Sequence, residues 1–325
     1  MILRPMPRNF SMPILDAYGG AREALAKAGE RLALSAAPDL LTAYIRATER
    51  EALAWLDGES FIADQMAVDY GTSLRAWRRW PFTFVRMFDR PLPSKGIPLA
   101  RHIETWLDEA SQDAPPGVVR DLLGIDSDRL ATWERQILPL TPLPRLIAGA
   151  DLAAAFTRIE PLAHGNPVAG VIIAERYCLP GAPLSAGGIA AIGLRSRQIP
   201  WRALVQGHAE VEYDDISENA RNERCRLAWL EALSAGADAV IAYDKRLRLW
   251  FAHLEEISKT LRKSSHLRDL ALMAGPGHSI TVTRAAQALG LSRQATTRLV
   301  AQACERHLLR EVTYGGSFRR YVIAV

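Results

Sequence analysis

The stretch TVTRAAQALGLSRQATTRLVAQACERHLLREVTYGGSFRRYVIA, residues 281–324, constrains the fold more than any other part of the chain. Ala286, Gly290 and Leu299 are spaced as two short helices crossing through a tight turn require. A small residue lets the helices approach, and a glycine takes the turn without strain. Thr283 and Ser292 are the expected N-caps of the two helices. If the second helix starts near Ser292, then Leu291, Ala295, Leu299 and Ala303 should face a core. Arg293, Gln294, Thr297 and Arg298 should face outward. HLLREVTY, GGS and FRRYVIA then read as strand, turn and strand. Residues 276–325 contain seven arginines and two glutamates, a net +5 in a chain whose total is +4. The basic character therefore sits at the C-terminal end, where it suggests a polyanionic partner.

Two helices at this spacing followed by a β-hairpin resemble the winged helix-turn-helix DNA-binding family. The resemblance implies a small α+β domain, assigned here to residues 269–325. Arginine pairs bidentately with guanine and glutamine with adenine in the major groove, so Arg293, Gln294, Thr297 and Arg298 are the expected readers. Ser292 and Thr296 could add phosphate or thymine-methyl contacts. Arg319 and Arg320 would suit backbone phosphates, which position a protein without specifying a sequence. The same architecture also serves as a protein-interaction or dimerisation module.

Upstream, the texture is helical and mainly α. Residues 21–37 are rich in alanine and leucine, and a second helix is expected from an N-cap at Asp39. Prolines break residues 78–98 into an irregular connection. Further helices are expected around LARHIETWLDEA, VVRDLLGIDSDRLATWERQI and RLIAGADLAAAFTRI, and two or three more in 219–262. At 325 residues, two or more domains are expected. The Gly/Pro cluster at 273–282 marks the best boundary. No apolar run approaches the ~20 residues that cross a bilayer. The N-terminus lacks a signal-peptide core, and Cys178, Cys225 and Cys304 are too scattered for a disulfide framework. A reduced, cytoplasmic protein without membrane contact is the expectation. The histidines outside the turn show no metal-ligand spacing. Asp214 and Asp215 read better as acids leading into a helix N-terminus than as a Mg²⁺ site. Neither a metal nor a cofactor is expected.

The stretch IEPLAHGNPVAGV (159–171) has the outline of a phosphate-binding turn between two helices. With its flanks it resembles the Fic family, whose loop runs H-P-F-x-D/E-G-N-G-R-x-x-R and which transfers AMP or a related group to protein hydroxyls. Pro161, Gly165, Asn166 and Gly170 match that pattern. Glu160 stands at the base position, His164 at the metal-ligand position, Pro167 at the second glycine, and Val168 and Val171 at the two arginines. REALAWLDGE (50–59) looks like the family's inhibitory helix, with Leu53, Asp57 and Gly58 at the motif positions. The resemblance implies a Fic-like helical domain over residues 1–268 with a degenerate loop at 160–171. Pro167 removes an N–H donor and the valines replace cations, so phosphate would meet apolar surface.

These readings give a sequence-specific DNA-binding protein, a transcriptional regulator acting as a homodimer on double-stranded DNA. Its helical domain would be catalytically inert and kept for dimerisation or for sensing an unidentified small-molecule effector. The alternative is a nucleotide-dependent protein modifier with an altered site built on Glu160 and His164 and a regulatory winged helix. A scaffold binding protein through both domains is the third reading.

Overall fold

The computed structural model describes residues 10–58, 100–105 without 102, 124–137, 143–179, 188–207, 217–262, 265–274, 279–313 and 319–325. The irregular stretch 78–98, Asp214, Asp215 and the Gly-Gly turn at 315–316 lie outside them. The protein is mainly α-helical with one small sheet. In chain order the elements are α1 (Met12–Ala33), α2 (Pro38–Leu56), α3 (Ser127–Ile137), α4 (Arg145–Ile159), α5 (Asn166–Cys178), α6 (Ile189–Ser196) and α7 (Trp201–Gln206). Then follow α8 (Glu218–Thr260), α9 (Leu267–Met273), β1 (Ile280–Thr281), α10 (Val282–Leu289), α11 (Arg293–Glu305), β2 (Leu309–Glu311) and β3 (Arg320–Ile323).

Two expectations are corrected at the helix starts and one in mid-chain. Asp39 lies in the first turn of α2 and does not cap it, because Pro38, which needs no N–H partner, already opens the helix after Ala37. Residues 124–126 are not helical: Ile125 forms a β-bridge with Leu162, and α3 begins only at Ser127. Residues 219–262 hold a single helix instead of two or three. Ser217 caps α8 by accepting a hydrogen bond from the Ala220 N–H, and no proline follows until after its last turn. Its 43 residues span about 64 Å at 1.5 Å per residue.

The reason Gly236 does not interrupt α8 is visible in its packing. A Cβ on Gly236 would lie 1.9 Å from the Ile189 carbonyl oxygen, and one on Gly193 would lie 1.7 Å from the Ala232 oxygen. Helices α6 and α8 therefore cross backbone to backbone. Along the other side of α8, α1 lays down a stripe of Ile14, Ala21, Ala24, Leu25, Ala28 and Leu32 at helical spacing. α5 runs through the middle of this body, and every residue from Asn166 to Arg176 is buried. α4 packs along it so closely that Gly149 has no room for a Cβ beside Cys178 Sγ.

The C-terminal elements dock on the far end of α8. The indole N–H of Trp250 donates to the Leu308 carbonyl at 3.0 Å in a buried contact, and His253 Nε2 lies 2.8 Å from the Arg306 carbonyl. The sheet order is β1-β3-β2, antiparallel throughout, with Ile280 opposite Tyr321 and Arg310 opposite Val322. The 268/269 boundary falls inside α9, which packs on α10 and α11 as well as on α8.

Gly193→Ala and Gly236→Ala should each lower the unfolding free energy by about 1–3 kcal/mol or more, since the obstruction is backbone. Gly20→Ala, on α1 where nothing lies within 4 Å, should instead raise it by about 0.5–1 kcal/mol. Urea unfolding midpoints of the three variants check both signs.

Candidate functional sites

At the turn between α4 and α5, Glu160 ends α4 in the left-handed region with φ 51°. Gly165, at φ 69°, starts α5. Asn166 closes the turn on itself: its Oδ1 accepts the Leu162 N–H at 2.8 Å and its Nδ2 donates to the Leu162 carbonyl at 2.7 Å. The segment before α3 takes the next groups, with Ala163 N–H donating to Gly124 O and Asp126 N–H to Pro161 O, both at 2.9 Å. The N–H groups of Leu162 and Ala163 are therefore spent within the fold, and Pro167 has none to offer. Val168 and Val171 are each 1% exposed and form part of the core. Cations at those two positions would be buried without water.

Glu160 and His164 are not joined to one another. The Glu160 carboxylate accepts from Gln206 Nε2 at 3.0 Å and sits 3.9 Å from Arg202, both on α7. His164 is exposed, and no hydrogen bond joins it to Glu160. Gly170 is kept for packing, since a Cβ there would press on the Ala153 carbonyl and on Phe156, each at 3.1 Å. On α2, Leu53 is buried, Asp57 follows the last turn and Gly58 takes φ 82°. Among the described residues, no group of three or more His, Cys, Asp or Glu could hold a metal ion. None of their helices is long and apolar enough to cross a membrane. An open groove of about 370 Å³ lies between α7 and α8, lined by Ile199, Pro200, Leu204 and Leu227 with Arg224 and Glu231 at its polar side.

At the C-terminal end, Thr281 caps α10 by accepting the Arg284 N–H, and Thr283 lies inside the helix, exposed. The helix starts one residue after Thr281 because that residue still pairs in β1. Gly290 takes φ 65° at the end of α10, and Ser292 caps α11 by accepting the Ala295 N–H. The buried face of α11 is Thr296, Val300 and Ala303, with Leu291 and Leu299 half-buried and Ala295 exposed. Ala295 is thus not a core residue, and Thr296 cannot touch a ligand because it is fully buried. Its hydroxyl donates to the Ser292 carbonyl, which satisfies it inside the core.

Arg293, Gln294, Thr297 and Arg298 are all exposed on the outward side of α11. Among the described residues, neither Arg293 nor Arg298 meets a carboxylate. Arg319 is exposed and lies 3.7 Å from Glu311. Arg320 is half-buried in β3 and donates to Ser279 Oγ at 3.4 Å. Arg284 and Arg310 are two further exposed cations of this end.

The core also contains a group that sequence reading did not single out. Glu49 of α2 and Glu175 of α5 are both buried, 3% exposed each. Glu175 accepts the Ile189 and Ala190 N–H groups at the start of α6, at 3.0 and 2.9 Å. Burial, and then the neighbouring Glu175, push Glu49 up to about 8. Burial raises Glu175 as well, opposed by Arg176 and by the α6 N–H donors. Both carboxyls are thus held above the ordinary carboxylate range, chiefly by burial.

No family model matches the chain. No curated protein matches it either. Among solved structures, the crystal structure of a Fic family protein from Desulfovibrio desulfuricans G20 is similar at a TM-score of 0.48 and 16% identity, covering 98% of each chain.

Asn166→Ala should remove both bonds to Leu162, leave buried backbone groups unpaired and cost about 2–3 kcal/mol in chemical unfolding. The Glu49 shift predicts a pH dependence of stability. The folded state retains a proton that the unfolded chain releases near 4.5. The associated stability is complete below that pH and is lost as pH rises through about 8. Unfolding midpoints should fall from pH 5 to pH 8.5 in the wild type, and Glu49→Gln should flatten the decline.

Proposed function

We propose that this protein is a sequence-specific DNA-binding protein, a transcriptional regulator whose helical body is catalytically inert. The observation that carries the reading is α11: a capped helix, packed on α9 and α10, that turns a glutamine and two arginines, without carboxylate partners among the described residues, to solvent. Its setting supports a winged helix-turn-helix, since the order α9-β1-α10-α11-β2-β3 with a β1-β3-β2 sheet gives a helix-turn-helix followed by a hairpin. Arginine and glutamine on such a helix have the donor geometry for base edges in the major groove. Arg284, Arg310 and Arg319 supply charge around it for phosphates.

Inertness of the body rests on the turn at 160–171. A phosphate-handling site needs free N–H donors and cations, whereas here the Leu162 and Ala163 N–H groups are occupied, Pro167 has none, and valines stand in the core. One short recognition helix reads few bases, so a homodimer on a two-fold symmetric site completes the proposal. The helical body would supply the dimer contact or sense an effector.

Selection of bound sequences from random duplex DNA by the full-length protein tests the reading. A two-fold symmetric site should be enriched. Arg293→Ala and Arg298→Ala should each cost roughly 1–3 kcal/mol on that site, and the double variant should lose the enrichment. Arg310→Ala should weaken binding to all sequences and lower the salt dependence by about one ion. Salt-steep binding with no enriched sequence, unchanged in the double variant, would reject it. Mg²⁺-dependent nucleotide binding abolished by Glu160→Ala and His164→Ala would instead establish a nucleotide-dependent modifier.

A further inference from the structure

The polar groups of α11 are not equally available, and the difference points to a specific DNA chemistry. Thr297 is exposed, but its hydroxyl donates to the Arg293 carbonyl at 2.9 Å, one turn back on its own helix. The Ser292 oxygen is occupied by the Ala295 N–H, and Thr296 is buried. The exposed side of Thr297 therefore presents a methyl group. Gln294, Thr297, Arg298 and Ala301 follow one another at i, i+3, i+4 and i+7, all exposed, with Gln294 and Arg298 facing away from the buried stripe Thr296, Val300 and Ala303 and Thr297 on its flank. Two bidentate donors thus alternate with two methyl groups. Beyond them, Glu305 is exposed on the same side and would repel phosphate, which ends the usable strip. From residue 294 to residue 301 the helix rises about 10 Å, the length of roughly three base steps.

Resting on the DNA-binding reading above, we infer that Thr297 is a specificity-determining residue that recognises thymine through its 5-methyl group. The flanking Gln294 and Arg298 take an adenine and a guanine within a half-site core of about three base pairs. The recognition is apolar at its centre: methyl on methyl, with no hydrogen bond from the threonine to a base. Thymine is the one DNA base that carries such a methyl in the major groove.

The test uses the full-length protein and the duplex that selection enriches, with deoxyuridine replacing thymidine one position at a time. Uracil keeps the pairing and lacks only the methyl. A single substitution at the contacted thymine of one half-site should weaken wild-type binding about fourfold, the worth of one buried methyl. Thr297→Ser keeps the hydroxyl and loses the methyl, so it should bind thymine and uracil duplexes equally. Thr297→Val keeps a methyl and loses the hydroxyl, so it should retain the discrimination. An enriched site bound with no loss at any uracil, or Thr297→Ser discriminating as well as wild type, overturns the inference and leaves the DNA-binding reading standing. A site lost in Thr297→Val but kept in Thr297→Ser overturns it in favour of the hydroxyl. Failure to enrich any sequence overturns the DNA-binding reading itself and the inference with it.

Discussion

The crossing of α6 over α8 is the constraint on which the helical body rests. Two glycines, Gly193 and Gly236, allow backbone to meet backbone there, and a carbonyl of the opposite helix occupies the space each Cβ would fill. Because α6 is pressed so closely to α8, its N-terminal N–H groups fall within reach of Glu175 on α5, and the Glu49 side chain of α2 lies against Gly188. One close contact thus sets the positions of four helices. It also explains why a carboxylate pair is buried here: the start of α6 needs acceptors, and α5 supplies one from inside the core.

The chemistry of the protein is divided between two kinds of surface. At the α4–α5 turn, polar groups face one another. Asn166 holds Leu162 at both ends, and the strand-like segment before α3 takes what is left. On α11 the arginines Arg293 and Arg298 are exposed and, among the described residues, meet no carboxylate. The turn is held together by its own bonds, whereas the exposed cations of α11 are the basis of the proposed DNA-binding role.

Sequence reading recovered what depends on local pattern. The helix over 145–159 was legible from its apolar run and the turn after it, and Ser292 as a cap from its place before Arg293. The phase of α11 was misjudged because a threonine hydroxyl looks polar in a sequence, yet Thr296 buries it by bonding to Ser292. The unbroken length of α8 was not legible, since the reason for a glycine at 236 inside it is a neighbour far away in the chain. Glu49 and Glu175 were invisible as a pair for the same cause. On α11, the bond from the Thr297 hydroxyl to the Arg293 carbonyl is a matter of rotamer, which composition does not encode.

The unbroken α8 also gives the molecule a fixed phase. Gly236 anchors the helix in the body and Trp250 anchors it under the C-terminal elements, fourteen residues further on. That is close to four turns, so the two anchors lie on nearly the same side of the rod. One residue inserted between them would swing the α11 face by about 100° around the axis, while four would restore it one turn further out. The length of this helix, counted in turns, thus sets the direction in which the exposed face of α11 points, independently of any residue on that face.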